Sequence, residues 1–356
     1  MKNLSTTKFD LITIMMLIAL AFLLGACNDD SQTTAESESP STPAAAYLAP
    51  GEAVDNGYPA PGDPARGYPG PGGAGDSLPE IVEPIPQFPG VLAFHSNRSG
   101  PLQIFKMDGA SGDIEPYVEM PSQAFEPSWA PDCQGIAFTA GPGGADGFDI
   151  YSVAGTGEEA RPVTADPDLL EWAAAWSPSG DVIAYQNNAE NLLNVCFVDF
   201  QGGDLGCLER GSFSNAMPAW SPDGTKLAFG SNRDGDWDIF LTDYPPTEEI
   251  SRLTDNAEID FYPEFSPNGE SIVYASQHLG NFEISTLKLD GTGELRLTNE
   301  FADDTTPTWV GDDLIAFSSF RTESWELYLM NADGSGVKRL TYQEEADQWP
   351  VWCLVE

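Results

Sequence analysis

Short apolar runs separated by polar turns fill the chain from about residue 91 to its end. Typical runs are VLAF at 91–94, IAF at 136–138 and LAF at 227–229, each bounded by Gly, Pro, Asn, Asp or Ser. Apolar runs of this length between turn residues predict β-strands, whereas a helix needs a longer segment with a period of about 3.6 residues. No helical period interrupts these runs, so the pattern predicts an all-β domain.

Two aromatic positions recur along this region in step with each other. The first is occupied by Trp129, Trp176, Trp220, Phe265, Trp309 and Trp352, at intervals of 43 to 47 residues. The second ends the following apolar run and is occupied by Phe94, Phe138, Tyr185, Phe229, Tyr274 and Phe317, within the same range of intervals. Two positions that stay in step over six copies identify an internal repeat.

The most complete copy is AWSPDGTKLAFGSNRDGDWDIF, residues 219–240. It begins with a Pro-x-aromatic run (Pro218–Trp220), and Ser221–Gly224 supplies the Pro and Gly that a tight turn needs. An apolar run, the polar turn SNRDG and a third run DIF follow, and a fourth run ends near Arg252-Leu-Thr. Four strands in about 44 residues predict one blade of a β-propeller.

The two ends of the repeat region complement each other. The region opens at a second strand, Val91–Phe94, and finishes at a first strand, Pro350–Val355. The last strand therefore supplies what the first copy lacks, and joining both ends in one blade leaves no open edge between the first and last blades. The sequence predicts an all-β, six-bladed β-propeller over residues 88–356, closed by N- and C-terminal strands.

These motifs resemble the TolB-type, WD-like propeller repeat, and the resemblance covers roughly residues 88–355. The W-S-P-D-G…I-A-F…S-x-R…D-I-Y pattern carries it. TolB has an additional α/β domain before its propeller, and this chain has a low-complexity region there. Similar repeats occur in prolyl-oligopeptidase-like and tricorn-like peptidases, but the sequence contains no G-x-S-x-G nucleophile elbow.

The front of the chain differs in composition from the repeats. Residues 1–27 have a weakly basic start, an apolar run at 11–24 that is shorter than the roughly 20 residues of a membrane-spanning helix, and the ending LLGAC. This ending resembles a bacterial lipobox, which implies lipidation of Cys27; the alternative is an ordinary secretory signal. Residues 28–87 are rich in Pro, Gly and Ser and predict a disordered tether.

The charge of the chain limits its partners. The 56 acidic and 15 basic residues give a net charge of -41, which disfavours nucleic acid and anionic lipid headgroups. Metal ions, basic peptides and cationic surfaces remain compatible, although the charge can also serve only to keep an exported protein soluble and monomeric.

Four cysteines lie within the predicted propeller. An even number in an exported domain is compatible with disulfides. Cys196 and Cys207 lie on two runs that a hairpin can bring together, whereas a Cys133–Cys353 bond requires closure of the whole domain.

The repeats offer few groups for catalysis or metal binding. The two histidines, His95 and His278, do not support a Ser-His-Asp site or a three-His metal site. Oligogalacturonate-lyase-like propellers resemble this repeat and bind a metal through several histidines, so the shortage disfavours that activity. Asp234, Asp236 and Asp238 have the alternating spacing of a calcium loop but no closing Glu, and the alternative is a solvated hairpin tip. No cofactor is predicted apart from this Ca²⁺ candidate.

One position shared by the copies could form a ring. The residues three places before each Pro, or its equivalent, are Ala124, Glu171, Asn215, Asp260, Asp304 and Asp347, and aromatic residues adjoin them, including Trp172, Tyr262 and Trp349. If the Pro-x-aromatic strand is innermost, these residues lie at one mouth of the channel, where four carboxylates would focus a negative potential. The alternative is that each acid caps its own interblade loop.

Together these features predict an exported, lipid-anchored, monomeric scaffold on the extracytoplasmic side of a membrane. Its propeller would bind a protein, peptide or glycan through loops held on rigid blades. The alternative is a carbohydrate-active lyase or hydrolase that uses the acidic, aromatic channel mouth.

Overall fold

The computed structural model describes residues 85–141, 147–208, 211–247 and 249–355. The predicted signal segment, Cys27 and nearly all of the predicted tether lie outside these residues. The described residues belong to a compact unit that spans Pro79–Glu356. Ile85 and Phe88 already pack against its hydrophobic core. Within the described residues, no helix is long and apolar enough to cross a membrane.

The described residues form twenty-four strands, together with a 3₁₀ turn at Ala189–Asn191. In chain order the strands are β1 (Val91–Ser96), β2 (Gln103–Asp108), β3 (Ile114–Val118), β4 (Gln123–Trp129), β5 (Ile136–Gly141), β6 (Asp149–Val153), β7 (Arg161–Pro162), β8 (Glu171–Trp176), β9 (Val182–Asn187), β10 (Asn194–Asp199), β11 (Asp204–Cys207), β12 (Asn215–Trp220), β13 (Lys226–Ser231), β14 (Asp238–Asp243), β15 (Ile250–Arg252), β16 (Asp260–Phe265), β17 (Ser271–His278), β18 (Asn281–Lys288), β19 (Leu295–Arg296), β20 (Asp304–Val310), β21 (Leu314–Ser319), β22 (Glu326–Asn331), β23 (Lys338–Arg339) and β24 (Asp347–Cys353).

The strands form six antiparallel sheets of four strands each, so the predicted six-bladed propeller is confirmed. Blade 1 has the order β24-β1-β2-β3, and blades 2 to 6 contain β4–β7, β8–β11, β12–β15, β16–β19 and β20–β23. The closure is as predicted, because the C-terminal strand β24 pairs with β1 from Val91 opposite Cys353 to Ser96 opposite Asp347. The innermost strands are β4, β8, β12, β16, β20 and β24.

The hydrophobic core lies between the blades rather than at the centre of the ring. Six clusters of buried side chains each combine residues from two neighbouring blades. Phe94 and Phe317, for example, lie in the second strands of blades 1 and 6 and are fully buried. Since burial of one such side chain stabilises the fold by roughly 1.5–3 kcal/mol, the recurring aromatic positions are explained by packing between blades.

The short fourth strands depend on a recurring threonine. Thr254, Thr298 and Thr341 follow the Arg-Leu pair of their blades, and each hydroxyl accepts a hydrogen bond at 2.8–3.0 Å from a backbone amide of the third strand, that of Ile239, Ile284 or Leu327. The same hydroxyls donate to the side-chain carboxylate of the residue before that amide, which is Asp238, Glu283 or Glu326. This pairing explains why the Asp-Ile-Phe and Arg-Leu-Thr motifs recur together.

Every innermost strand is interrupted at the same place. The residue three positions before each first aromatic position has a positive φ of 47–59°, in Glu126, Ala173, Met217, Tyr262, Thr306 and Trp349. The register with the second strand shifts there, so each innermost strand carries a β-bulge. We call these six residues the bulge ring.

The four cysteines of the described residues lie in two bonded pairs. Cys196 and Cys207 face each other across β10 and β11 and form a disulfide. Cys133, in the turn after β4, bonds to Cys353 at the end of β24. The second bond therefore links blade 2 to the strand that closes blade 1.

Candidate binding surfaces

The acidic residues proposed for the channel mouth are buried within their own blades. Asp260, Asp304 and Asp347 have no exposed surface, and Glu171 and Asn215 are 3% and 1% exposed. Each begins an innermost strand, as the sequence analysis assumed. The alternative that each acid caps its own interblade loop stays a prediction.

In three blades, an arginine that follows the second strand binds the side chain at this position. Arg321 makes two hydrogen bonds to Asp304, at 2.8 and 3.0 Å, and Arg98 binds Asp347 at 2.6 Å. Arg233 donates to Asn215 at 3.0 Å. The serine of the Ser-x-Arg motif accepts a bond from Nε of the same arginine in all three blades, so the motif builds a fixed clamp on the neighbouring strand.

Aromatic rings cover these arginines. The Arg321 guanidinium lies 5.6 Å from the ring centre of Phe317 and 4.6 Å from that of Tyr328. Arg98 is placed in the same way over Phe94 and Phe105. A cation over a ring face is attracted to the ring's quadrupole, which favours this partly buried position.

Blade 5 lacks the arginine. His278 stands at that position, as the sequence indicated, but it contacts Glu258 at 2.6 Å rather than Asp260. Burial raises the pKa of Asp260 to about 7, with smaller opposing effects from the hydroxyls of Ser276 and Thr254. Glu171 also lacks an arginine, and burial raises its pKa.

The aromatic candidates divide between two places. Trp172 is partly exposed and is the second residue of β8. Tyr262 and Trp349 belong to the bulge ring, and their ring centres lie 5.3 Å apart in an edge contact. Since β16 and β24 belong to blades 5 and 1, with blade 6 between them, the two rings meet across the channel.

The calcium candidates do not converge on one point. Arg252 lies 2.6 Å from Asp238 and 3.6 Å from Asp236, and Asp238 is fully buried, whereas Asp234 is exposed. Within the described residues, no three His, Cys, Asp or Glu side chains are grouped to hold a metal ion. The Arg252 guanidinium thus supplies the positive charge beside Asp236 and Asp238, where a metal ion would otherwise bind.

A surface that the sequence analysis missed lies on the face where the innermost strands begin. Leu279, Phe301 and Phe320 are 89%, 99% and 43% exposed. Leu279 is in the turn between β17 and β18, Phe301 precedes β20, and Phe320 follows β21. We call these three residues the apolar patch.

Hydrogen bonds join the three connections that carry the apolar patch. The side chain of Asn281 donates to the carbonyl oxygen atoms of Glu300 and Ala302, and the Phe282 amide donates to the Asp303 carboxylate at 2.8 Å. The Phe320 amide donates to the carbonyl oxygen of Asp303 at 3.0 Å. The patch therefore lies on backbone that is held in place rather than on separate loops.

Acidic side chains surround the apolar patch. Glu300, Glu323, Glu344 and Glu345 are exposed on the same connections or the adjoining one, which Ser324 holds through the carbonyl oxygen atoms of Glu344 and Glu345. Arg321, the basic side chain nearest in sequence, is already bound to Asp304. The surface is thus both apolar and negatively charged.

A signal for this patch was present in the repeat. Phe320 stands where Asn97 and Asn232 stand in other Ser-x-Arg motifs, and Leu279 stands where Ser99 and Asp234 stand. An apolar residue at a turn position that is polar in sibling copies marks a candidate binding residue, because turn tips are exposed.

The channel also contains a cavity of about 270 Å³ on the opposite side of the bulge ring. Residues from all six innermost strands line it, and it reaches the turns after β4 and β8, where Pro131 and Pro178 contribute. It thus lies toward the face opposite the apolar patch.

Comparisons with known proteins agree with this fold. Residues 210–293 and 247–355 match the family model of the TolB beta propeller domain. An uncharacterised protein of Agrobacterium fabrum is 27% identical over 174 residues, which cover 46% of this chain and 58% of that protein. The match thus spans less than two thirds of the relative's length.

Two solved structures share the architecture. TolB from Acinetobacter baumannii superimposes with a TM-score of 0.66 at 18% identity, covering 75% of this chain and 68% of that one. A TolB candidate from Agrobacterium tumefaciens gives a TM-score of 0.57 at 20% identity, covering 72% of this chain and 89% of that one. At these identities the likeness concerns the fold.

Proposed function

Because the chain carries a TolB-like β-propeller, we propose that it is a membrane-tethered, extracytoplasmic scaffold that binds a protein partner. The lipobox-like ending at Cys27 and the Pro-rich segment after it support the tether. The partner would dock on the face where the innermost strands begin.

The apolar patch is the observation that carries this proposal. Exposed aromatic and aliphatic side chains on hydrogen-bonded loops lose little conformational entropy when a partner covers them. Burial of three such side chains in a partner stabilises a complex by the hydrophobic effect. The patch is thus suited to the centre of an interface.

The acids around the apolar patch favour a particular partner chemistry. Carboxylates at the rim of an interface attract cationic groups and raise the association rate. We therefore propose a partner segment that combines apolar side chains with Lys or Arg.

The buried acids support binding rather than catalysis. A carbohydrate lyase or hydrolase needs carboxyl groups that reach the substrate. Asp260, Asp304 and Asp347 are fully buried within their blades, so they favour the scaffold over the enzyme alternative. A glycan ligand would need polar groups on an exposed surface instead.

A display library of random 12-residue peptides tests the proposal on the purified full chain in nonionic detergent. The expected peptides combine basic and apolar residues. Their affinity should fall at least tenfold in the triple variant Leu279→Ser, Phe301→Ala and Phe320→Asn. These replacements are residues that sibling blades carry at the same positions, so the blades should fold normally.

A matched control removes exposed apolar side chains elsewhere. Leu295→Ser with Val337→Ser changes the outer part of blades 5 and 6, where Leu295 and Val337 are 52% and 37% exposed. This control should bind like the unmodified chain. Equal binding by the triple variant, or the absence of any enriched peptide, would contradict the proposal. Labelling with a radioactive fatty acid, lost in Cys27→Ser, checks the anchor separately.

A further inference from the structure

The cavity beyond the bulge ring has walls of an unusual composition. Five prolines, Pro127, Pro218, Pro263, Pro307 and Pro350, come from equivalent positions of five innermost strands, and Ala174 occupies the sixth. Tyr262 and Trp349 line its inner end. Its volume of about 270 Å³ is just below the range of sites for drug-sized molecules. It therefore suits a single side chain or a molecule of that size.

Glu264 is the carboxylic acid among the lining residues. It stands one residue before the first aromatic position of blade 5, where the other copies have Ser128, Ala175, Ala219, Thr308 and Val351. None of the lining residues is Lys, Arg or His. A ligand in this cavity would therefore meet one carboxyl group, that of Glu264, and no basic side chain among the lining residues.

The two oxygen atoms of Glu264 have different surroundings. Oε1 accepts hydrogen bonds from the Thr308 hydroxyl and the Trp309 amide, both at 3.0 Å, and these bonds join blade 5 to blade 6. Within the residues that the structure describes, Oε2 accepts no hydrogen bond. The carboxyl group is thus fixed in orientation by one oxygen, while the other remains available for a donor.

We propose that this cavity binds an alkylammonium group, with Oε2 of Glu264 as its acceptor. The group would enter from the face that carries the turns after the innermost strands. Its methylene chain would lie against the prolines, and its ammonium would meet the carboxylate. A Lys side chain of a protein and a free aliphatic amine share this chemistry.

The surroundings favour an ammonium group over an anion or a neutral molecule. A charged carboxylate in an apolar environment is poorly solvated, and an opposite charge within about 4–6 Å offsets that cost. Burial raises the pKa of Glu264 to about 8, and the bonds from Trp309 and Thr308 oppose this only in part. The unliganded site is therefore mostly neutral at pH 7, and a bound ammonium favours the charged form, so binding should strengthen as the pH rises toward and above the pKa of Glu264. The rings of Tyr262 and Trp349 add faces that attract cations.

Titration calorimetry with n-butylammonium chloride tests the site in the full chain, kept in nonionic detergent. We expect saturable binding of one equivalent of this probe, and no binding of n-butanol or n-butyrate at the same concentrations. Lysine amide and a Lys-containing tripeptide serve as second probes, and preference for the tripeptide would identify a protein side chain as the source of the group.

The variant Glu264→Gln keeps an oxygen atom for Thr308 and Trp309 but removes the charge. We expect it to bind n-butylammonium at least tenfold more weakly. Glu126→Gln is the matched control. Like Glu264, Glu126 is a partly buried acid that bonds to the next blade, here through the Ala173 amide, but it does not line the cavity. This control should bind like the unmodified chain.

A second variant tests the site if Glu264→Gln fails to fold. Ala219 lines the cavity at the position that corresponds to Glu264 in blade 4. Ala219→Lys supplies an ammonium group from the protein itself and should abolish binding of n-butylammonium. Unchanged binding by either variant, or no saturable binding by the unmodified chain, would overturn the proposal. Neither result bears on the apolar patch, which lies on the other face.

Discussion

Asp260 and Asp304 occupy the same position in neighbouring blades but have different partners. Arg321 holds Asp304 by two hydrogen bonds, whereas Asp260 accepts one from the Asn256 amide at 3.3 Å. The pKa of Asp260 is raised to about 7 because burial disfavours its charge and no guanidinium offsets that effect. One residue type therefore has two roles, which depend on a single substitution of Arg by His in the following turn.

We predict that Asp260→Asn stabilises the protein at pH 8. A carboxyl whose folded-state pKa lies above its unfolded value contributes stability that is fully present below about pH 4 and is lost as the pH rises through about 7. Asn resembles the neutral acid and does not ionise. The expected gain is on the order of 2–4 kcal/mol at pH 8 and vanishes near pH 4, measured by urea unfolding at both pH values.

Asp304→Asn is the matched control for this prediction. Burial raises the pKa of Asp304 too, but Arg321 opposes that effect. Removing the charge leaves the Arg321 guanidinium without its Asp304 partner, so the variant should lower the free energy of unfolding by about 3 kcal/mol at pH 8. If both variants change stability in the same direction at pH 8, the difference between the two positions is not electrostatic.

At the scale of the strand, the bulge ring is the feature that sequence patterns did not predict. The Pro-x-aromatic motif correctly located each innermost strand, but a periodic pattern of apolar residues does not show where a strand is interrupted. Positive φ is uncommon outside Gly, Asn and Asp, and here it occurs in Met217, Tyr262 and Trp349 among others. The tertiary fold imposes it, since the positive φ coincides with the register shift between the first and second strands in all six blades.

We predict that Ala173→Gly stabilises the protein although it adds a glycine to a strand. Ala173 has a φ of 54°, which is unfavourable for a residue with a Cβ atom, and glycine removes that strain. The free energy of unfolding should rise by about 0.5–1 kcal/mol in urea titrations.

Ala175→Gly, two residues further along β8, is the comparison for that prediction. Ala175 is outside the residues with positive φ, so glycine there should lower stability by about 0.5–1 kcal/mol through the entropy of the unfolded chain. A loss of stability in Ala173→Gly as large as in Ala175→Gly would show that the positive φ costs nothing.

The repeat explains why the fold was predictable and the binding surfaces were not. Trp129 and Phe138 recur in register because packing between blades repeats, so one sequence contains six observations of the same constraint. Glu264 and Phe301 occur once each, at positions where the sibling copies carry other residues. The repeat therefore offers no second copy that would indicate the role of either residue. Only the structure shows that Glu264 lines a cavity and that hydrogen bonds join the connections that carry Leu279, Phe301 and Phe320.

The acids at the beginning of the innermost strands show a second reason why the binding surfaces were harder to predict than the fold. Stacking the copies correctly placed Asp260, Asp304 and Asp347 at the beginning of innermost strands, on one face. It could not show that Arg98 and Arg321 fold back over these carboxylates, because those contacts depend on side-chain directions in the adjoining turn. Position in a repeat was therefore predictable, and burial was not.

At the scale of the whole molecule, the ring is closed by a strand and a covalent bond together. β24 completes blade 1, and the Trp129 indole donates to the carbonyl oxygen of Val351 at 3.1 Å. The Cys133–Cys353 disulfide joins the same strand to blade 2 across a sequence separation of 220 residues. The other disulfide, Cys196–Cys207, spans 11 residues within blade 3.

We predict that the two disulfides contribute unequally to stability. Cross-linking reduces the entropy of the unfolded chain by an amount that grows with the logarithm of loop length, which gives about 5 kcal/mol for the long loop and about 3 kcal/mol for the short one. The double variant Cys133→Ser with Cys353→Ser should therefore have a lower urea midpoint than Cys196→Ser with Cys207→Ser. Because the Cys133–Cys353 disulfide also holds the closing strand β24, its loss should increase amide hydrogen exchange in β24 and β1 first. An equal midpoint for the two variants, with unchanged exchange in β24, would mean that backbone pairing alone closes the ring.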